Sequence, residues 1–316
     1  MKKSFLVVTL LAAALLLCDS AYAQKTGKYD HALYLQEMKE DLSFVASDLV
    51  AGRASGTDGK HMVEQFLVRR FRNLGLVPYH WCYTQSVPYK DSIILRNVAG
   101  YIPAASPSKD YVIVCAHYDH IGTIGGRIFN GADDNASGVA ALLGLAKLFT
   151  SMKSEGAAPS KNILFVAFDG KELSMSGSEH FVSNLDIPPE NIACVLNIDM
   201  LGTNLVPVGL NNDYIIALGE NTIDSKYRGI LSFLAKRAAY KMDLDLTFYG
   251  SRNFTDMIYR TGDQYSFAKA GIPAMLFTSA FHEHTYKPTD TIDIIDFPLL
   301  RRRTLLIFNF ILRLCE

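Results

Sequence analysis

The stretch Tyr111-Val-Ile-Val-Cys-Ala-His-Tyr-Asp119 is an apolar run of strand type that ends in an imidazole and a carboxylate. The same pattern recurs. Ile163-Leu-Phe-Val-Ala-Phe168 leads to Glu172, Ile192-Ala-Cys-Val-Leu-Asn-Ile198 to Asp199, and Ala274-Met-Leu-Phe-Thr278 to the region of His284. Between the first two, Gly131-Ala-Asp-Asp-Asn-Ala-Ser-Gly138 carries Asp133 and Asp134. Continuous apolar strands are those covered on both faces. Ligand-type side chains delivered from neighbouring strand ends are how an α/β sheet assembles a zinc site. One residue breaks the pattern: Lys171 stands beside Glu172, where a second carboxylate is expected.

Outward from these runs, patterning predicts strands at 97–102, 111–116, 163–168, 192–198, 214–218 and 274–277. Helical periodicity covers 34–49, 61–74, 137–149, 176–182, 226–239, 264–270 and 297–314. This alternation predicts an α/β fold in three layers, a mixed, mostly parallel sheet flanked by helices. Gly52-Arg-Ala-Ser-Gly-Thr-Asp-Gly59 reads as a loop. No repeat or low-complexity linker interrupts the chain, so residues 24–316 are expected to form one domain.

The first 23 residues have the form of a signal peptide: Lys2-Lys3, an apolar stretch from Phe5 to Leu17, and Ala21-Tyr22-Ala23 as a cleavage site. The apolar stretch is shorter than the roughly 20 residues of a membrane-spanning helix. Export to the periplasm or medium follows; the alternative is lipid anchoring through Cys18, against which the bulky Leu17 counts. No later segment reads as transmembrane. With 49% hydrophobic and 20% charged residues and a net charge of −1, the chain has the core of a globular protein and no field that would recruit nucleic acid. Arg301-Arg-Arg303 is expected on the solvated face of the last helix. Cys115 and Cys194 lie inside strand patterns and read as buried thiols, and the cysteine spacings fit no cysteine-based zinc motif.

Five pieces in order resemble the zinc aminopeptidases of metallopeptidase family 28 (clan MH), which also contains zinc-dependent glutaminyl cyclases. They are Ala116-His-Tyr-Asp-His120, Asn130-Gly-Ala-Asp-Asp-Asn-Ala-Ser-Gly-Val139, Phe168-Asp-Gly-Lys-Glu172 with Gly177-Ser178, Leu196-Asn-Ile-Asp-Met200, and His284-Thr with Asp290-Thr291. The resemblance implies that His117 and Asp199 bind one zinc, Glu172 and His284 another, and that Asp134 bridges them. It also implies that Asp119 orients His117 through the ring N–H. Such a centre holds one or two zinc ions that polarise a scissile carbonyl and activate water. Four acidic groups without a cation would repel one another, so a metal is expected on electrostatic grounds as well.

The chain departs from the family at two points. The general-base glutamate is replaced by Lys171, which cannot accept a proton while charged and whose ammonium could instead replace part of a missing metal charge, giving a one-zinc or zinc-free site. The family's last histidine precedes Asp-Thr by four residues, yet Tyr286 stands there. Either a longer loop lets His284 reach, or Tyr286 takes its place, or the ligand is absent. Asp263, in Gly262-Asp-Gln264, is expected to hydrogen-bond a substrate amine. His120 reads as a strand cap or pocket border, Asp133 and Asp169 as turn acids, and Glu283 as the nearest candidate for a displaced base. A side-chain pocket is expected from the 253–258 and 277–281 loops. Together these features suggest an exported zinc exopeptidase acting on peptide amino ends. Two alternatives stand beside it, glutaminyl cyclisation with one zinc and a non-catalytic peptide- or sugar-binding protein.

Overall fold

The apolar runs that end in ligand-type side chains lie side by side at the centre of one sheet. The computed structural model describes residues 28–90, 93–205, 213–248 and 250–316; the expected signal peptide and Cys18 lie outside the described residues. In chain order the strands are β1 (Val77–Pro78), β2 (Thr84–Pro88), β3 (Ile94–Ile102), β4 (Tyr111–His117), β5 (Thr123–Ile124), β6 (Arg127–Ile128), β7 (Asn162–Phe168), β8 (Ile192–Ile198), β9 (Tyr214–Leu218), β10 (Asp243–Asp245) and β11 (Ala274–Thr278). The helices are α1 (Leu35–Val45), α2 (Asp58–Asn73), α3 (Gly138–Ser154), α4 (Ser176–Ser183), α5 (Ser225–Lys236), α6 (Arg252–Tyr259), α7 (Gln264–Lys269) and α8 (Phe297–Leu314).

The main sheet runs β1-β3-β7-β4-β8-β11-β9-β10, with β2 also paired to β3. β7, β4, β8 and β11 are mutually parallel. β3 closes one side antiparallel to β7, and β9 the other side antiparallel to β11. The four parallel strands therefore point their carboxyl ends to one edge, where ligand sites of open α/β sheets form. Alternation sorts the side chains of β4. Val112, Val114 and Ala116 join the core built with α1, α2, α3 and α8, whereas Ile113 and Cys115 pack with Phe181 of α4 and Phe267 of α7. This is the expected three-layer α/β arrangement.

Local capping marks several helix starts. Thr57 accepts from the Lys60 amide at α2, Asp224 from Lys226 at α5, and Asp296 from Leu299 at α8, whose first turn also holds Pro298. The sequence reading missed β1, β2, β5, β6 and β10, and it took residues 253–258, which lie in α6, as a loop. Thr84-Gln-Ser-Val-Pro88 lacks an apolar run, and it is strand only because it registers against 94–98 of β3. The expectation of a solvated Arg301–Arg303 fails at Arg303, which is fully buried. It stands three and four residues from the buried Leu300, Leu299, Leu306 and Ile307, so the helical period puts it on the inner face. There its guanidinium donates to the carbonyls of Leu201, Thr203 and Tyr214 at 2.8, 2.7 and 2.8 Å. Arg301 and Arg302 are also bonded, to Leu33 and Tyr240 carbonyls among others. Cys82, Cys115, Cys194 and Cys315 are free thiols. Among the described residues no helix is long and apolar enough to cross a membrane.

Candidate metal centre

His117 is the last residue of β4, Asp199 follows β8 directly, and Asp134 comes from the segment ahead of α3. These three converge. His117 Nε2 lies 3.3 Å from Asp134 Oδ1 and 3.4 Å from Asp199 Oδ1. One donor atom from each lies within 4.8 Å of the others. The donor set suits a divalent cation, because His117 Nε2 and both Asp134 oxygens are buried and make no hydrogen bond. A polar atom buried without a partner is costly, and a metal–ligand bond would satisfy it.

The surroundings fix this tripod. His117 Nδ1 is 3.1 Å from the main-chain oxygen of Asp119, while the Asp119 carboxylate is 3.8 Å away. Asp119 therefore orients the imidazole through its main-chain carbonyl. The carboxylate instead accepts the amides of Lys171 and Glu172, at 3.1 Å each, and so clamps the turn after β7. Asp290 does the same for Asp133 and Asp134, accepting both amides at 2.8 and 3.1 Å. The Asp134–Asn135 peptide is cis. Asn135 bridges to the Ile198 carbonyl and the Met200 amide, joining the Asp134 segment to the end of β8. Gly138 permits that approach, since a Cβ there would stand 2.6 Å from the Ile198 carbonyl. Asp133 is not a simple turn acid: it accepts from Gly202, Thr203 and His282.

Sequence reasoning passed over two buried cations beneath the site. Arg53, read only as part of a loop, is fully buried and donates to the carbonyls of Tyr118, Val45, Asn130, Gly131 and Asp134. Lys60 pairs with Asp169 at 3.0 Å, and Asp169 also accepts from Ser55 and the Arg96 amide. No local pattern announces either role. Each depends on which distant segment packs against the strand ends.

A second group of donors is formed by His120, Asp134 and Glu172. His120, read as a cap or pocket border, thus lies nearer this group than His284. His284 is turned away: its Nδ1 meets Thr289 Oγ1 at 2.9 Å and its Nε2 lies 3.8 Å from Glu283. Tyr286 lies closer in, with its ring parallel to that of His120 and its hydroxyl 3.4 Å from Lys171 Nζ. The Lys171 ammonium itself sits among the carboxylates, 3.0 Å from Glu172 Oε1 and 3.8 Å from Asp134 Oδ1.

The charges of the metal-free chain follow from these contacts. Burial disfavours the charged form of Lys171, but Asp134, Asp199 and Glu172 outweigh it and hold the ammonium well above its usual range. Burial likewise opposes ionisation of Asp134 and Asp199, yet Lys171 and His117 hold both carboxyls below the ordinary carboxylate range. His120 is pulled down to about 3 by burial, so its imidazole is neutral. The expected self-repulsion of an acidic cluster is therefore relieved from within, by a lysine. Asp263 is buried, its carboxyl is pushed up by that burial, and neither oxygen makes a hydrogen bond.

A cavity of about 260 Å³ opens beside Asp199 and Lys171. Its apolar wall includes Phe248, Ile258, Leu276 and Phe281. Of the loops expected to line it, 277–281 supplies Thr278, Ala280 and Phe281, but 253–258 supplies only Ile258.

Known proteins agree with this architecture. Aminopeptidase YwaD of Bacillus subtilis is 34% identical over 111 residues, 34% of this chain and 22% of that protein. The first curated relatives are longer proteins, of which the matched part spans less than half. Among solved structures, the zinc aminopeptidase BSAP of Bacillus subtilis superposes with a TM-score of 0.68 at 14% identity, covering 88% of this chain and 94% of that one. Porphyromonas gingivalis glutaminyl cyclase gives 0.67 at 17% identity, covering 88% and 98%. At such identities the superpositions establish the fold alone. The sequence itself goes further, because residues 97–311, which carry every member of the cluster around His117, match Peptidase family M28, and the chain belongs to that family.

Proposed function

We propose that this chain is an exported, zinc-dependent exopeptidase that releases the amino-terminal residue of a peptide. The observation that carries the reading is the apolar cavity abutting Asp199 and Lys171. At about 260 Å³ it is smaller than the pockets that take drug-sized ligands and suits one side chain, not a run of peptide. His117, Asp134 and Asp199 would hold the cation, which supplies Lewis acidity toward a carbonyl and lowers the pKa of bound water. Asp263 and Asp199 are the acids available to a substrate ammonium. Lys171, held charged, cannot take a proton from the attacking water, but it can steady negative charge on the substrate oxygen. Export rests on the Lys2-Lys3, apolar and Ala21-Tyr22-Ala23 pattern; amino-terminal sequencing of the protein recovered outside the cell tests it.

The activity is tested on the zinc-loaded chain with aminoacyl chromogenic amides. Slow hydrolysis is expected, best with apolar residues and abolished in His117→Ala. Lys171→Glu restores the carboxylate of active family members and is expected to raise the rate by roughly a hundred- to ten-thousandfold, the usual worth of a general base. Zinc-bound protein that cleaves none of a full series of aminoacyl substrates, before or after that change, refutes the proposal. The salt-bridged Lys171 supports one other reading, a peptide-binding member without the reaction, which expects peptides to bind and remain whole.

A further inference from the structure

We infer that this chain binds one divalent cation, at His117, Asp134 and Asp199, and that the Lys171 ammonium stands in the place of a second one, leaving Glu172 an ion-pair partner and not a metal ligand. The inference rests on the metal dependence proposed above and adds to it the number of ions and the residue that sets that number. Two groups of donors share Asp134, and Glu172, which belongs only to the second, is the one already directly paired with an ammonium. In the group of His120, Asp134 and Glu172, Lys171 Nζ is already 3.0 Å from Glu172 Oε1 and 3.8 Å from Asp134 Oδ1.

The ammonium has little room to leave. Its side chain is 9% exposed. Its main chain is pinned, because the Asp119 carboxylate accepts the amides of both Lys171 and Glu172. Tyr286 completes the cage, accepting a hydrogen bond from Nζ at 3.4 Å while its ring lies 5.7 Å from the same atom. Zinc bonds carboxylate oxygens at about 2.0–2.2 Å, so an ion shared by Glu172 and Asp134 would have to lie against the ammonium. Charge balance agrees. Asp134, Asp199 and Glu172 are neutralised by one ammonium together with one divalent ion. A second divalent ion would leave a buried cluster two charges positive, which low-dielectric surroundings penalise heavily.

The measurement is zinc bound per chain, by elemental analysis of dialysed protein and by titration calorimetry with zinc alone. Circular dichroism and thermal melting confirm that each variant is folded. The expectation is one zinc in the wild-type chain, two in Lys171→Met, and one in Glu172→Gln with affinity changed less than about tenfold. Two zinc ions in the wild-type chain overturn the inference and leave the peptidase reading standing. One zinc in both wild type and folded Lys171→Met overturns the role given to the lysine, and loss of zinc in folded Glu172→Gln overturns the role given to Glu172. A chain that holds one zinc yet cleaves no substrate, before or after Lys171→Glu, refutes the peptidase reading alone, and no zinc at all refutes both. If Lys171→Met does not fold, Lys171→Glu is the second variant, and one zinc there overturns the inference equally.

Discussion

Replacing Arg53 with methionine removes a guanidinium that donates to five main-chain carbonyls at once: Tyr118 and Gly131 at 2.8 Å, Asp134 at 3.1 Å, Val45 at 3.2 Å, and Asn130. Three of those carbonyls belong to the segment that presents Asp134, and a fourth follows His117 directly. Hydrogen bonds to a charged group contribute about 1.5–3 kcal/mol each, which would give roughly 7–15 kcal/mol for five. That sum is too large. The cation is fully buried, burial pulls its pKa down to about 10, and its removal refunds that desolvation. Measured losses of one partner from a buried charged network centre on about 3–5 kcal/mol, and that is the expected cost here. Against a total stability of about 5–15 kcal/mol, Arg53→Met should leave a folded but marginal protein. Its looser Asp134 segment should also weaken zinc binding by about 10–100-fold, as loss of a supporting shell does. Arg53→Lys keeps one charge without the planar fork and should fall between. Urea unfolding of metal-free protein followed by circular dichroism gives the first quantity, and calorimetric titration the second. A loss below about 1 kcal/mol, with zinc affinity unchanged, would show that the carbonyls are satisfied some other way and that Arg53 does not organise the site.

Two further perturbations follow from the same structure. Asp41 is largely buried, and burial raises its pKa from 3.8 to about 6 despite Arg70 at 2.9 Å. The folded state therefore keeps a proton that the unfolded state loses, so stability should fall by up to about 3 kcal/mol as pH rises from about 4 to about 6. Asp41→Asn should flatten that slope, and unfolding curves across this range that are equally steep in both proteins would refute the assignment. At Gly177 a Cβ would lie 1.9 Å from the Asp169 carbonyl and 2.6 Å from Asn97 Oδ1. Gly177→Ala should push α4 off the turn that carries Lys171 and Glu172, costing at least about 1–3 kcal/mol as overpacking does, and a wild-type melting curve would contradict that.

Apolar runs and their spacing were enough to give the α/β class and the main strands along the chain, because strand periodicity is a local property written in neighbouring residues, whereas the meeting of His117, Asp134 and Asp199 was an expectation carried by the family resemblance. The edge strands β1, β2 and β10 were invisible for the opposite reason: their short stretches lack an extended apolar run and become strand only by pairing with β3 or β9. The side-chain chemistry of the site divides the same way. That Lys171 replaces a carboxylate is plain from one residue. Whether its ammonium turns to solvent or into the carboxylates is set by the Asp119 clamp, which joins the turn after β7 to the end of β4. The sequence reading ranked His284 above His120 as a ligand, but the loop from 279 to 290 turns His284 to Thr289 while His120 joins Asp134 and Glu172. Arg53 and Arg303 look like ordinary loop and helix arginines in sequence. Only packing three or more distant segments around each guanidinium makes burial of their charge tolerable, and no local pattern encodes that.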